Sequence, residues 1–518
     1  MKKCLLLLLA ILMILSGFTA CNESKTPSAE TTGTETQETS TESSSTTTTE
    51  EDSETETETS ETSILDGVKF NGEVLEVFSW TPTNLDEYVE ELTDNSTIVD
   101  QAVFNRCDSA EARLNVRTRW KLWAKLPEYD EAFIDAIEVE NNNGGKYDIV
   151  VNVSTFAHPL AIRGVYSNLK KYDTYLDFEH PGWSTSMIED VTVGNKLYFA
   201  TGDISTNLVF MTSVVFFNKN LVKDLGINEK IQANWEVQNL YELVTSGKWT
   251  LDKLITLCEN VYKDQNNNGR KDFGDRFGLV TYGALTDNFY YGGGYQTVLV
   301  EDGGFVVSPD FMNPELVGGL LTQVNTFLYD NKAGFLGEHK DAQSGFANND
   351  VLFALAPASH AYMKHSTVEG LEYSVLPVPK HSEGQSAYAC TQSYPYSMYG
   401  VCSQSKYTNQ AAAFMQALAE ESYAITRPAL FDKLMKGRYA EDPEDAEMWE
   451  YAVAANVFDV GRIYNKAFGH DGNALTTYLF GDYVKRNNNN WAGMLGSYAG
   501  PLTIYAMTLA GVIQELPD

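Results

Sequence analysis

Cysteine is scarce in this sequence, with six in 518 residues, and that alone excludes a scaffold stapled by disulfides. Cys4 and Cys21 lie at the N-terminal end, leaving Cys107, Cys258, Cys390 and Cys402 for the body. Cys107 and Cys258 sit in helix-like stretches and read as small buried hydrophobes. Cys390 and Cys402 could bridge, but their spacing does not demand it. Basic residues are few as well: 37 Lys and Arg face 71 Asp and Glu, a formal charge of −34. With no basic stripe to meet phosphates, nucleic acid is excluded as a partner. Catalytic signatures are missing too. There is no HExxH, CxxC or GxSxG, and no GxxxxGK loop, so any ATPase would be a separate chain. The seven histidines are scattered. His360 and His365, in "SHAYMKH", are poorly spaced for a shared metal on one helix face and read as surface residues. Paired carboxylates for glycoside hydrolysis stay open because acids abound, but no pair stands out.

What is present begins at the N-terminus. Lys2 and Lys3 precede "CLLLLLAILMIL", twelve residues from Cys4 to Leu15. That is too short to span a bilayer core of about 30 Å at about 1.5 Å per residue, and it reads as the core of a signal peptide over 1–20. The small residues of "SGFTAC" resemble the lipobox of bacterial lipoproteins, with Phe18 where that pattern prefers Leu. The resemblance implies lipidation at Cys21; the alternative is an ordinary secretory signal. Residues 30–63 are Ser, Thr or Glu except Gly33, Gln37 and Asp52. Such a segment buries too little apolar surface to offset its chain entropy, and its carboxylates repel. Residues 21–66 therefore read as a tether holding a globular body off a membrane, or equally as a glycosylated stalk.

The remaining chain is long enough for two lobes with their own cores. "GEVLEVFSW" alternates as an opening strand does. A helix and second strand follow in "TIVDQAVFNRCDSAEARLNVRTRW", then another helix, a Gly-Gly turn and an apolar strand from Tyr147 to Val153. This is the start of an open α/β sheet, whose ligands sit beyond the carboxyl ends of its strands. That rule nominates Ser79, Trp80, Asn152 and Ser154.

Later segments carry a resemblance. "GNKLYFATGDISTNLVFMTSVVFFNKNLVKDLGI", "SGKWTLDKLITLCENVYKD" (with Thr250 or Asp252 as helix cap), "NNDVLFALAPASHAYM", "GLEYSVLPVPK", "YSMYGVCSQSKYTNQAAAFMQALA" and "KGRYAEDPEDAEMWEYAVAANVFDVGRIYN" follow one another as corresponding segments do in bacterial extracellular solute-binding proteins, family 1, the sugar-type receptors of ABC importers. The order of these matches carries the resemblance more than any single one. It implies the type II periplasmic-binding-protein fold: two α/β lobes with hinge crossovers and a cleft between them. The expected bounds are a first lobe at 67–215, a second at 216–380, and crossover and C-terminal helices at 381–518. It further implies a non-catalytic receptor that passes a small solute, a sugar or oligosaccharide, to ABC permease subunits, anchored by its lipid outside the cell membrane. A secreted carbohydrate-active enzyme and a surface sensor or adhesin are the alternatives.

Two further features bear on function. In "KDQNNNGRKDFGDRFGL", oxygen-bearing side chains fall at positions 1, 3, 5, 9 and 12 of a calcium-type loop, namely Asp264, Asn266, Asn268, Asp272 and Asp275. Gly269 stands at the sharp turn, and Arg270 can offer a carbonyl. The reading is a helix from Thr250 to Lys263 leading into a structural Ca2+ staple; the alternative is an ion-free polar turn. For the solute, aromatic faces to stack on a pyranose and planar polar groups for hydroxyls are needed. Trp80, Tyr282, Tyr290, Tyr291, Tyr295, Tyr396 and Trp491, the last as an exposed indole, are the aromatic candidates. Asn152, Asp203, Ser359 and Gln392 are the polar ones. The alternative is that most of them pack the core.

Overall fold

The computed structural model describes residues 63–517 except Thr83, 126–130, Tyr394, 465–468, 471–472 and 475–476. The signal segment, Cys21 and nearly all of the tether lie outside the described residues. The strands are β1 (Val74–Thr81), β2 (Arg117–Lys125), β3 (Ile149–Val153), β4 (Ser213–Asn218), β5 (Phe277–Tyr282), β6 (Val298–Glu301), β7 (Gly304–Val307), β8 (Gly334–Gly337), β9 (Val351–Pro357), β10 (Tyr373–Leu376) and β11 (Ser397–Val401). They form two main sheets, ordered β11-β3-β1-β2 and β10-β4-β9-β5-β8.

The first sheet opens as its sequence suggests. β1 pairs parallel with both β2 and β3. The helix Ile98–Leu114 between β1 and β2 starts in a capping box, Thr97 with Asp100, and ends at Asn115 in the left-handed region, which Asn tolerates better than most residues. Gly145 is required in the turn before β3: a Cβ there would lie 1.9 Å from the Gln404 carbonyl. Every residue of β3, β4 and β9 is buried, as continuous apolar runs covered on both faces must be. β11 adds to β3 antiparallel.

The second sheet is mixed. β4 runs antiparallel to β9 and β10, while β5 is parallel to β8 and β9. β4 lies across the expected 215/216 boundary, since the chain has crossed to the second sheet by Ser213. It returns at β11, where the helix Thr408–Glu421 packs on Ile98–Leu114, and crosses again so that the helix Pro443–Ala454 lies against β10. Repeated crossing makes two lobes that neither half of the chain could build alone. Among the described residues, no helix is long and apolar enough to cross a membrane.

Several expectations are corrected here. Cys390 and Cys402, whose pairing the sequence left open, do not bridge; all four body cysteines are free and buried. His360 and His365 are fully buried rather than surface residues: His365 packs with Phe216, Phe346 and Tyr373, and His360 packs on His365 and His339, its Nε2 2.9 Å from that of His339. Burial depresses the pKa of both, so neutral imidazoles serve there as flat core rings. The helix expected over Thr250–Lys263 is Leu251–Cys258, and the Thr250 hydroxyl turns to Asp252 rather than capping it.

The first lobe is pinned by a buried ion pair. Arg106, fully buried, sends Nη1 to the Ile204 carbonyl (2.8 Å) and the Ser422 hydroxyl (3.0 Å), and Nη2 to the Glu87 carbonyl (2.8 Å) and carboxylate (3.4 Å). The Glu87 carboxylate also accepts from the Thr206 N–H (3.0 Å) and the Tyr399 hydroxyl (3.0 Å). Removing one partner of such a pair strands the other charge. Arg106→Met should therefore lower the unfolding free energy by about 3–5 kcal/mol in urea titration, and Glu87→Leu in the same chain should recover part of that loss.

Candidate functional site

The strand-end rule points to the right region but not to open positions. Ser79, Trp80, Asn152 and Ser154 are all fully buried. The Trp80 indole donates to the Ser397 hydroxyl (2.9 Å), the Ser79 hydroxyl to the Trp80 carbonyl (2.8 Å), and the Asn152 amide to the Phe156 carbonyl (2.8 Å). The Ser154 N–H donates to the Tyr396 carbonyl at 2.8 Å, and the Tyr396 ring meets Phe458 at 6.3 Å. On the β3 side the segment 456–464 packs close by: the short helix Val460–Ile463 lies against the helix Ser154–Ile162, and the Tyr464 ring meets His158 at 5.6 Å. Arg462 donates to the Asp287 carboxylate and, at 2.7 Å, to the Gln392 carbonyl, so Gln392 is buried too.

Trp491, expected as an exposed indole, is fully buried: it meets Phe311 edge-on at 5.2 Å and donates to the Phe311 carbonyl at 2.9 Å. Tyr290 is core as well, its hydroxyl donating to the Gln296 carbonyl (3.0 Å). Ser359 is buried at the start of a short helix. Of the expected residues, Asp203 lines an opening between lobes, and Tyr291 and Tyr295 line a smaller pocket beside it.

That opening is a cavity of about 510 Å³. Its first-lobe wall is the turn 181–186 with Gly202 and Asp203, and its second-lobe wall is Leu208, Val209 and residues 450–456. Trp183 and Phe431 supply aromatic surface, and Asp203, Arg427 and Asn456 supply polar groups. Trp183 is held by its indole N–H on Gln416 (2.8 Å). Arg427 pairs with Asp203 at 3.1 Å and stands over the rings of Tyr423 (5.7 Å) and Phe431 (5.8 Å). It joins two π-helical stretches, Ser422–Thr426 and Pro428–Lys436, a distortion that recurs at functional sites. Burial pushes the Asp203 carboxyl up, and Arg427 opposes this. Asn456 Oδ1 is buried at the wall without a hydrogen-bond partner, although its amide donates to Thr212 (2.9 Å).

A smaller pocket of about 130 Å³ continues from this cavity, sharing Ser186 and Phe458 with it and adding Asp190, Tyr291, Tyr295 and Gln296. A cavity of about 650 Å³ elsewhere is lined by Tyr282, His339 and Asp287 among others. Its walls come from 282–341 and 481–485, all within the second lobe, so lobe closure cannot act on it, and it is the weaker candidate despite its size.

Sequence reasoning missed Trp183, Asp190, Arg427, Phe431 and Phe458. Trp183 carried a signal, an aromatic in the Pro-Gly turn "HPGWS". The others lie in segments that read as helix or core, and only the tertiary fold brings them together.

The loop at 264–275 closes on itself. The Asp264 carboxylate accepts the N–H groups of Asn268 (3.2 Å) and Gly269 (2.8 Å), and Gly269 has φ of +72°. Asn266 and Asn268 send their amides to Asp272 at 2.9 and 2.8 Å. Asp275 accepts from the Tyr262 hydroxyl (3.0 Å), which also reaches the Arg270 carbonyl (3.1 Å). The turn has the shape a cation loop needs, but among the described residues no three carboxylate, imidazole or thiolate groups converge as a metal centre would.

No protein-family model matches the sequence, and no curated protein does. The structure is similar to a cyclo/maltodextrin-binding protein complexed with maltotetraose (TM-score 0.54, 12% identity, 87% of this chain and 100% of that one). It is also similar to the cyclic α-maltosyl-1,6-maltose-binding protein of Arthrobacter globiformis (TM-score 0.51, 13% identity, 86% and 100%). At these identities the likeness establishes the fold: two α/β lobes of the type II periplasmic-binding-protein kind.

One titration follows from the cleft. Burial, with the negative charge of Asp459, pushes the Asp190 carboxyl from an ordinary 3.8 up to about 7. The folded state thus holds this proton more tightly than the unfolded chain does. The resulting stabilisation is present in acid and is lost as pH rises through about 7. The melting temperature of Asp190→Asn relative to the parent should therefore climb between about pH 4 and pH 8 and level off above, as followed by scanning fluorimetry.

Proposed function

We propose that this protein is an extracytoplasmic solute receptor that closes its two lobes on a small sugar-type solute and delivers it to the permease of an ABC importer, without chemical change to the solute. The observation that carries this reading is the interlobe cavity, where aromatic surface from Trp183 and Phe431 faces planar polar groups from Asp203, Arg427 and Asn456. Rings of that kind cover the apolar face of a pyranose, and fork-shaped donors and carboxylates satisfy its hydroxyls. The solved proteins of similar fold are described as binding maltodextrins and cyclic maltosaccharides, which supports a carbohydrate as the solute class. Of the carboxylates lining the main cavity, Asp203 is paired with Arg427, and Asp432 and Glu450 with Lys436, which leaves no pair of free acids there for glycoside hydrolysis. The sequence features at Cys21 support a lipid anchor, with residues 21–66 as the leash.

The same reading includes calcium at the 264–275 loop, as a staple between the helix Leu251–Cys258 and β5. The oxygens of Asp264, Asn266, Asn268, Asp272 and Asp275 with the Arg270 carbonyl would hold it. The ion would neutralise carboxylates there and take no part in solute contact.

A solute that binds only the closed, folded state stabilises it by about 2.7 kcal/mol at a hundredfold excess over Kd. A thermal-shift screen of mono- and oligosaccharides should therefore raise the melting temperature, and chromatography should recover the sugar unaltered. Recovery of a cleaved sugar would make the protein an enzyme, and a shift with peptides but no sugar would overturn the solute class. Trp183→Ala should abolish the shift. EDTA added to the sugar-free protein should lower the melting temperature, with Ca2+ restoring it; an unchanged melt would remove the ion from the picture.

A further inference from the structure

The 130 Å³ pocket beside the main cavity has a chemistry of its own. Asp190 and Gln296 form its polar side, and Tyr291, Tyr295 and Phe458 its aromatic side. Unlike the carboxylates of the main cavity, Asp190 pairs with no cation among the described residues. Its hydrogen bond comes from Gln296 Nε2 at 3.3 Å, and the charged groups acting on it, Asp459 and Glu189, are both negative. The nearby basic groups are committed elsewhere. Arg462 stands over the Tyr291 ring at 5.5 Å but is tied to Asp287 and the Gln392 carbonyl. His381 packs on Tyr295 at 5.1 Å, is bonded to the Phe289 carbonyl at 2.7 Å, and is kept neutral by burial.

A half-buried carboxylate without a counter-charge, set among aromatic rings, is the environment that attracts an ammonium group. The carboxylate supplies a charge-assisted acceptor, and ring faces attract a cation through their quadrupoles. A volume of 130 Å³ exceeds the share of one water, about 30 Å³, and leaves room for an amine with its carbon. A neutral hydroxyl could bond the same oxygens but brings no charge to favour the ionised carboxylate, whereas an ammonium does, and an acidic substituent would be repelled by that carboxylate.

We propose that this pocket is a subsite for a protonated amine, so that the solute taken by the cleft bears an amino group, as a glucosamine-type sugar does. This rests on the interlobe cavity being the solute site. The carboxyl raised by burial agrees with it, since an arriving ammonium would favour the ionised form and release a proton.

Calorimetry at slightly acid pH with the glucosamine disaccharide, its N,N'-diacetylated form and cellobiose tests the assignment. The free amine should bind at least about tenfold more tightly than either neutral sugar, a difference of about 1.4 kcal/mol. In Asp190→Asn that ratio should collapse toward one, with the melting temperature of the sugar-free variant checking that it folds. Tyr295→Leu, which removes a ring and no charge, should lower the ratio as well. Equal affinities for the amine and its acetylated form, or a preference that survives Asp190→Asn, would overturn the amine subsite while leaving the cleft as a sugar site. Failure of all three sugars would remove the cleft reading and the subsite with it.

Discussion

The arrangement of the cleft depends on one buried carboxylate. Asp459 is almost wholly removed from water, where an ionised carboxyl is costly unless several donors surround it. Its oxygens accept from the Thr297 N–H (2.7 Å) and hydroxyl, the Tyr291 hydroxyl (3.2 Å) and the Arg462 N–H (3.1 Å). Meeting that demand draws the loop before β6 against the short helix at 460–463. Arg462 then spans to Asp287 and the Gln392 carbonyl. Tyr291, Tyr295, Gln296 and Phe458 are held as one wall because the same carboxylate organises the segments that carry them.

That clamp also decides where the site can be. In an open α/β sheet the space beyond the strand ends is the natural crevice, but here the strand-end side chains are core, and on the β3 side residues 456–464 pack against the helix Ser154–Ile162 and Tyr396. The accessible space between lobes is displaced sideways, onto the turn at 181–186, the π-helical stretch around Arg427 and the end of the helix Pro443–Ala454. The sheets act as rigid supports, and the solute-facing groups come from connections between them, the usual division between scaffold and binding loops.

The walls of this space are also incompletely satisfied. Among the described residues, Asn456 Oδ1 has no partner, and Asp190 has one long hydrogen bond and no pairing cation. Groups left short of partners cost the free protein about 1–3 kcal/mol each when buried. Part of that cost is returned when a ligand supplies the missing donor, so the same residues that weaken the empty fold give selectivity for what enters it.

The alternation of "GEVLEVFSW", the apolar run of β3 and the capped helix between β1 and β2 were legible because local periodicity and capping are short-range properties of the chain. The acidic balance and the Ser/Thr/Glu segment were legible because composition alone sets them. The order of segments along the body pointed to two lobes, and the sheets bear that out. Burial was not legible. Trp491 follows a polar run and yet is core, and His360 and His365 sit in a polar stretch and yet pack among aromatics, because neighbours distant in sequence cover them. Nor could the strand-end rule foresee that Tyr396 and Met398, far later in the chain, would lie against Ser154 and Asn152, with Phe458 packed on Tyr396. The sequence by itself determined the elements, their order and the charge of the surface. Only the tertiary structure decided which aromatics face the cleft and which carboxylate lacks a cation, since both depend on which distant segments come to share one space.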